Sequence, residues 1–147
     1  MDIRVAAYGV IIVDGSILLT HWHEGRKWSL PGGGVQDREQ PADAAIREIR
    51  EESGFTATLG PLLSADSIII SRHAPPGVAP SPMHSFRIVY EATIASGTLT
   101  HERDGSSDEA RWFALDEVQS LPRVSLVDIG ISAWQESRSR EQGALPG

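Results

Sequence analysis

The sequence has 147 residues, of which 40% are hydrophobic and 22% are charged, so it has the length of one domain and the composition of an ordinary soluble globular protein. It contains no cysteine, which excludes disulfide scaffolds, thiolate metal sites and cysteine nucleophiles. Thirteen basic residues against twenty acidic ones give a net charge of −7, which argues against a nucleic-acid scaffold because a negative surface repels polyanions.

The first predicted element is a strand over residues 5–13, which are apolar and rich in β-branched side chains. Asp14-Gly15 predicts a hairpin turn, after which a second strand follows over residues 17–20. Residues 5–13 are also the longest apolar run, which is far too short to span a membrane. Because the N-terminal segment Met1-Asp2-Ile3-Arg4 lacks the basic-then-apolar order of a signal peptide, we expect a cytoplasmic protein with no membrane association.

The next predicted elements are a glycine-rich loop over residues 30–34 and then a helix. Pro41 suits the first turn of this helix, and Gly54 is a suitable stop just beyond its end. Between them, apolar residues recur at helical spacing at Ala42, Ala45, Ile46 and Ile49.

The remainder of the chain predicts a β-rich half followed by a helix. Strands are expected over residues 55–58, 67–71, 86–95 and 110–114, and a stiff proline-rich excursion over residues 73–83. Residues 125–140 are expected to be helical, and residues 142–147 to form a frayed tail. The prediction is therefore one domain over residues 1–141, with a mixed β-sheet, one central helix and one or two C-terminal helical pieces.

Three carboxylates share one narrow face of the predicted helix, because Glu48, Glu51 and Glu52 fall within a small arc at about 100° per residue. They lie beside the apolar stripe, where solvent screens their mutual repulsion less well. Arg47 can pair with Glu51 but cannot neutralise all three. The pattern alone leaves two interpretations open, which are a site for Mg²⁺ or Mn²⁺ and a solvated acidic face.

The complete spacing resembles a known family signature. It consists of Gly33, five residues, Glu39, seven residues and the run Arg47-Glu48-Ile49-Arg50-Glu51-Glu52-Ser53-Gly54-Phe55. At every defined position this resembles the Nudix box of the Nudix hydrolases. The preceding Trp28-Ser29-Leu30-Pro31-Gly32-Gly33 and the later Arg111-Trp112-Phe113 are also similar to family segments. Gln36 and Arg38 depart from frequent choices without touching the defining positions.

The resemblance implies an α/β/α sandwich around a mixed sheet and a metal-dependent hydrolase. Such enzymes cleave a diphosphate linkage in a nucleoside diphosphate joined to another group, by attack of water at phosphorus. The family implies Mg²⁺ as cofactor, with Mn²⁺ as a substitute. The implied metal ligands are Glu48, Glu51, Glu52 and the carbonyl of Gly32. The implied structural residues are Glu39, Arg47, Gly33 and Gly54.

The proton acceptor and the substrate remain open. In some family members a glutamate of the box is the general base, which leaves Glu51 and Glu52 as candidates. In others the base comes from a later loop, where residues 104–109 supply Glu109 as the preferred candidate. Nucleoside triphosphates, sugar nucleotides and small dinucleotides all remain as substrates, and the oligomeric state, including a homodimer, is open. The alternative function is a non-catalytic nucleotide-sensing domain.

Two features near the start of the chain also have more than one interpretation. His21 and His23 flank Trp22 in the sequence and should lie on the same side of a strand, as surface or substrate-edge groups or as a metal-binding pair. Trp22 itself either packs against the protein or stacks on a nucleobase.

Overall fold

The computed structural model describes residues 1–71, 74–101, 105 and 107–143. Its elements in chain order are β1 (Asp2–Val10), β2 (Ile12–Val13), β3 (Ser16–Trp22), β4 (Lys27–Ser29), β5 (Gly32–Gly34), α1 (Pro41–Ser53), β6 (Phe55–Ser71), β7 (Pro82–Gly97), β8 (Ser107–Ala114), a 3₁₀-helix (Leu115–Ser120) and α2 (Ser125–Gly143).

The strands form two sheets. The first has the order β5-β1-β7-β6, in which β1 and β7 are parallel and the other pairs are antiparallel. The second is antiparallel and is centred on β3, which pairs with β2, β4 and β8. The prediction of a mixed β-sheet is therefore confirmed.

Alternating side chains of β3 divide the core into two layers. Leu18 packs in a cluster with Ile49 of α1, whereas Ile17 and Leu19 pack in a cluster with Leu126 of α2 and Val118 of the 3₁₀-helix. Because successive side chains of a strand point to opposite faces, α1 lies on one side of the sheets and α2 on the other. This is the three-layer α/β/α arrangement that the family resemblance implies.

Helix α1 begins with Pro41 and ends at Ser53, with Gly54 as its C-cap, as the sequence predicts. Gly54 has φ of +82° and its N–H donates to the carbonyl of Arg50 at 2.9 Å. A Cβ at this position would also lie 2.4 Å from the carbonyl oxygen of Thr98. Glycine is thus required here both by the left-handed backbone and by the close approach of the following chain.

The prediction of a loop over residues 30–34 is wrong for residues 32–34. Gly32–Gly34 form β5, which pairs with residues 6–8 of β1. Clustered glycines usually indicate a loop, but here the missing side chains let this strand lie directly against α1. A Cβ at Gly33 would be 2.7 Å from the carboxyl carbon of Glu48.

Several strand boundaries also differ from those predicted. The predicted strand over residues 5–13 is divided at Ile11 into β1 and β2, which belong to different sheets. The strands predicted over residues 55–58 and 67–71 are one strand, β6, whose register shifts between Thr56 and Ser64. Such irregularities interrupt the alternation of polar and apolar residues, so the sequence pattern does not connect the two halves.

The other predicted segments agree in position but not in length. The excursion predicted over residues 73–83 is shorter, because β7 already begins at Pro82, and His73 lies outside the described residues. Strand β4 is absent from the prediction, whereas the 3₁₀-helix over Leu115–Ser120 is the first of the one or two C-terminal helical pieces expected. Helix α2 continues to Gly143, and residues 144–147 of the predicted tail lie outside the described part. None of the helices described is long and apolar enough to cross a bilayer.

We expect Gly54→Ala to lower the free energy of unfolding by about 3 kcal/mol or more, because the methyl group adds a steric clash to an unfavourable φ. Gly15→Ala is a matched control. Gly15 has φ of +77° but nothing within 4 Å of the added Cβ, so only the backbone cost of about 1 kcal/mol should remain. Urea denaturation of both variants measures the difference. Equal losses would mean that the contact with Thr98 is unimportant.

Candidate active site

The guanidinium group of Arg47 connects three parts of the chain. Its Nε and Nη2 donate to the two carboxylate oxygens of Glu39 at 2.9 and 3.0 Å. Nη2 also donates to the carbonyl of Gly34 at 3.0 Å, and Nη1 donates to Glu48 at 2.9 Å. Arg47 therefore ties α1 to β5 and to the segment that joins them.

The carboxylate of Glu39 is held from both sides. Besides the two bonds from Arg47, its Oε1 accepts a hydrogen bond from the backbone N–H of Gln36 at 3.0 Å. The hydrogen bonds from Arg47, and then that from Gln36, lower the pKa of Glu39 from 4.5 to about 2. The same pairing, first with Glu39 and then with Glu48, raises the pKa of Arg47 above its usual range. Both groups are thus charged across the physiological pH range.

Glu52 is the buried carboxylate of the helix face, with 3% of its surface exposed. Its Oε1 accepts a hydrogen bond from the backbone N–H of Gly32 at 2.7 Å, and its Oε2 accepts one from the hydroxyl of Ser107 at 2.7 Å. Since β5 supplies one donor and β8 the other, the carboxylate is fixed between two strands of different sheets.

Glu48 and Glu51 complete the acidic face that the helical spacing predicts. The Glu48 side chain is 18% exposed and lies against Gly33, while the Glu51 side chain is 46% exposed. Nη1 of Arg47 lies 2.9 Å from Glu48 and 3.3 Å from Glu51. Exposure therefore increases from Glu52 through Glu48 to Glu51, and the guanidinium group of Arg47 lies between Glu48 and Glu51.

The donor set fits a hard divalent cation by its chemistry, because carboxylates and a carbonyl are the oxygen ligands that Mg²⁺ and Mn²⁺ accept. Glycine at position 33 leaves space that a Cβ would fill, directly at the carboxylate of Glu48. In the described residues, however, no three histidine or acidic side chains already converge as a complete metal site. The chemistry of the donors thus suits a divalent ion, although the described side chains do not form a preassembled cluster.

The structure does not bring Glu109 to this face. Glu109 pairs with His21 across β3 and β8, and Leu19 pairs with Arg111, so these side chains lie on the α2 side of the sheet. The carboxylate of Glu109 forms an ion pair with Arg111. Its role as a general base stays a prediction that this placement does not support. Asp104 and Ser106 of the same predicted loop lie outside the described residues.

His21 and His23 do lie on one side of the strand end, as predicted. Their Nδ1 atoms lie 2.8 and 3.1 Å from the two carboxylate oxygens of Asp108. These hydrogen bonds, with that from His23 the stronger influence, lower the pKa of Asp108. The arrangement clamps the start of β8 at the register shift between His21 and Trp22.

Sequence reasoning missed two groups that organise the site. Ser107 holds Glu52 from 55 residues away in the chain, and the carbonyl of Gly34 holds Arg47. A lone serine in a predicted loop carries no pattern that could identify it. The glycine run did indicate an unusual backbone, but not that this backbone is a strand.

The sequence of this chain is similar to those of known proteins. The profile of the NUDIX domain family matches residues 3–135. "Putative ADP-ribose pyrophosphatase YjhB" of Bacillus subtilis is 32% identical over 77% of this chain and 51% of its own length. "Putative 8-oxo-dGTP diphosphatase 3" of Mycobacterium tuberculosis is 31% identical over 92% of this chain and 63% of its own length. The chain thus spans about half to two-thirds of these curated relatives.

A solved structure, the MutT NUDIX hydrolase from Burkholderia pseudomallei, is similar throughout. It is 29% identical, with a TM-score of 0.70 over 90% of this chain and 98% of that one.

The Arg47–Glu39 pair should make stability depend on pH. Because the pKa of Glu39 is lowered to about 2 in the folded state, its stabilising contribution is complete above about pH 4.5 and is lost as the pH falls toward 2. Urea denaturation should show Glu39→Gln less stable than wild type above pH 4.5, with the gap narrowing toward pH 2. Asp37→Asn is the control, since its carboxylate is 99% exposed in the same segment. A gap independent of pH would contradict the ion-pair assignment.

Proposed function

The chain belongs to the NUDIX family, and from this premise we propose that it is a metal-dependent hydrolase that cleaves a diphosphate linkage in a nucleoside diphosphate joined to another group. The observation that carries the proposal is the carboxylate of Glu52, buried and held at both oxygens beside Glu48 and Glu51. Burial of an acid is costly unless its oxygens are hydrogen-bonded, and here a backbone N–H and a hydroxyl hold both of them in place. The two curated relatives, named for a pyrophosphatase and a diphosphatase, support the reaction class.

We propose Glu48, Glu51, Glu52 and the carbonyl of Gly32 as the residues that would hold Mg²⁺, with Mn²⁺ as a substitute. A bound divalent ion would offset the charge of the phosphates and activate water for attack at phosphorus. Without a cation, three carboxylates would repel a diphosphate, and Arg47 already shares its charge with Glu39. The acidic face is therefore consistent with an anionic substrate only when a cation lies between them.

Glu52 and Glu51 would have different roles in the reaction. Glu52 cannot turn without breaking hydrogen bonds to Gly32 and Ser107, so it provides a fixed reference for the other groups. Glu51 is the most exposed of the three carboxylates, and its two oxygens accept long hydrogen bonds of 3.4 and 3.3 Å from Nη1 of Arg47. We therefore favour Glu51 over the fully hydrogen-bonded Glu52 as acceptor of the proton from the attacking water.

A panel of nucleotides tests this function directly. It should include nucleoside triphosphates, sugar nucleotides and dinucleotides, each incubated with and without MgCl₂, with the products identified by mass. We expect hydrolysis of at least one class at a diphosphate linkage and loss of activity on chelation. Binding of nucleotides without any turnover in MgCl₂ or MnCl₂ would instead identify a non-catalytic nucleotide-sensing domain.

Glu52→Gln should keep the fold and lower the turnover number roughly a hundredfold or more, because an amide is a poor substitute for a carboxylate toward a divalent cation. Steady-state kinetics at saturating MgCl₂ measures this loss. Glu136→Gln is a suitable control, because it removes the same charge from the exposed surface of α2. Near-normal turnover by Glu52→Gln would refute the assignment of Glu52.

Divalent cations should stabilise the protein against heat more than NaCl of equal ionic strength. Binding to the folded state alone adds about 2.7 kcal/mol when the free ion is at a hundredfold excess over its dissociation constant. Thermal melting in MgCl₂, MnCl₂ and NaCl measures the effect. A response that persists undiminished in the double variant Glu48→Gln, Glu52→Gln would place the ion elsewhere, and equal responses to all three salts would indicate simple screening of an acidic face.

A further inference from the structure

Strand β8 contains a β-bulge beside the acidic face of α1. His21 of β3 pairs with Glu109. The next residue of β3, Trp22, pairs with Ser107, so two steps along β8 correspond to one step along β3. Asp108 is therefore an extra residue, which has no partner of its own in the pairing of β8 with β3. Bulges of this kind change the direction of the neighbouring side chains and are common next to active sites.

The bulge determines which side chain of β8 faces Glu52. Beyond the bulge the strand is regular, with Ala110 packed on the α1 side and Phe113 on the α2 side. Continued without a bulge, this alternation would place Asp108 on the α1 side and Ser107 on the α2 side. The bulge reverses that order, so Ser107 lies on the α1 side and its hydroxyl donates to Glu52 at 2.7 Å.

This exchange of two residues changes the chemistry around Glu52. A serine hydroxyl donates a hydrogen bond, whereas an ionised aspartate only accepts. Asp108 in the place of Ser107 would remove this donor from Oε2 of Glu52 and would add a fourth negative charge to the acidic face. Ser107 is 5% exposed and Glu52 is 3% exposed, so their hydrogen bond is shielded from bulk water.

Two histidines hold Asp108 on the opposite side of the strand. Nδ1 of His21 lies 2.8 Å from one carboxylate oxygen of Asp108, and Nδ1 of His23 lies 3.1 Å from the other. Because an ionised carboxylate only accepts, both Nδ1 atoms donate to it. The ring of His21 also packs edge-on against the buried Trp28, which anchors it to the core. We call His21, His23 and Asp108 the histidine clamp.

We propose that the histidine clamp positions Glu52 for a divalent cation, by holding the bulge that presents Ser107 to it. This inference rests on the proposed function, and none of the three clamp residues is among the proposed metal ligands. The clamp is on the α2 side of the sheet and the ligands are on the α1 side, so the bulge carries the effect from one face to the other. Groups that orient a metal ligand typically change metal affinity by about ten- to a hundredfold.

Titration calorimetry with MnCl₂ tests this role without any substrate. We expect Ser107→Ala to weaken Mn²⁺ binding about tenfold, because Glu52 loses one of the donors that orient it. Asp108→Ala should weaken Mn²⁺ binding severalfold in the wild-type background and have no effect in the Ser107→Ala background, because the clamp acts through that hydroxyl. Asp116→Ala is the matched control, since it removes the same charge from an exposed position of the 3₁₀-helix and should leave the affinity unchanged.

His23→Ala is the second variant, and it is chosen to keep the fold. The side chain of His23 is 72% exposed, so its removal takes little from the core. It should weaken Mn²⁺ binding less than Asp108→Ala does, and again only when Ser107 is present. Thermal melting without metal checks that Asp108→Ala is folded, and His23→Ala decides the question if it is not.

The outcomes separate this inference from the proposed function. Equal weakening by Asp108→Ala with and without the Ser107 hydroxyl would show an effect of charge alone and overturn the proposal. Unchanged Mn²⁺ affinity in both Asp108→Ala and His23→Ala would also overturn it and leave the enzyme intact. Wild-type protein that binds no Mn²⁺, or binds it as well as the double variant Glu48→Gln, Glu52→Gln does, would refute the metal site itself and this inference with it.

Discussion

The interaction on which the site depends is the pairing of Arg47 with Glu39. Two parallel hydrogen bonds of 2.9 and 3.0 Å fix the guanidinium plane, and only then can its remaining donors reach Gly34 and Glu48. A lysine could supply the charge but not this planar set of donors. The pair therefore orients Arg47 so that it also contacts Gly34 of β5, and Arg47 partly neutralises a helix face whose carboxylates would otherwise repel one another.

A second constraint is the absence of side chains along β5. Strand and helix approach so closely that Glu48 occupies the space in which a Cβ of Gly33 would lie, and the N–H of Gly32 can reach Glu52. The backbone N–H of Gly32 and the carbonyl of Gly34 thus make contacts with α1 that side chains would make in an ordinary strand. This close contact explains why a glycine run, which is costly in a strand, is nevertheless part of a sheet here.

Much of the site could be predicted from the sequence, because its central part is local. The positions of Glu48, Glu51 and Glu52 follow from helical periodicity, and Gly54 follows from the chemistry of helix ends. Glu39 and Arg47 required the family signature, since the seven residues between them can adopt many conformations. The hydroxyl of Ser107 was beyond prediction, because it reaches Glu52 only through the pairing of β8 with β3 and a register shift in that pair.

The fold, like the site, could be predicted where the signals are local but not where they depend on the pairing of distant segments. Helix α1 was predictable because its apolar stripe and both ends are encoded within a short segment. Strand β6 was not, because its irregular register hides the alternation, and β1 and β2 were merged because an apolar run carries no signal for a change of sheet.

The parallel pairing of β1 with β7 has a consequence for how the chain folds. Residues 2–10 of β1 pair with residues 83–91 of β7, so the centre of the first sheet joins segments about eighty positions apart. Closing so large a loop costs entropy before any contact compensates for it, and sheets with such distant partners assemble slowly. During synthesis, β1 leaves the ribosome long before β7 exists. One edge of β1 can pair early with β5, but the edge that β7 covers must stay open until more than half of the protein has been made.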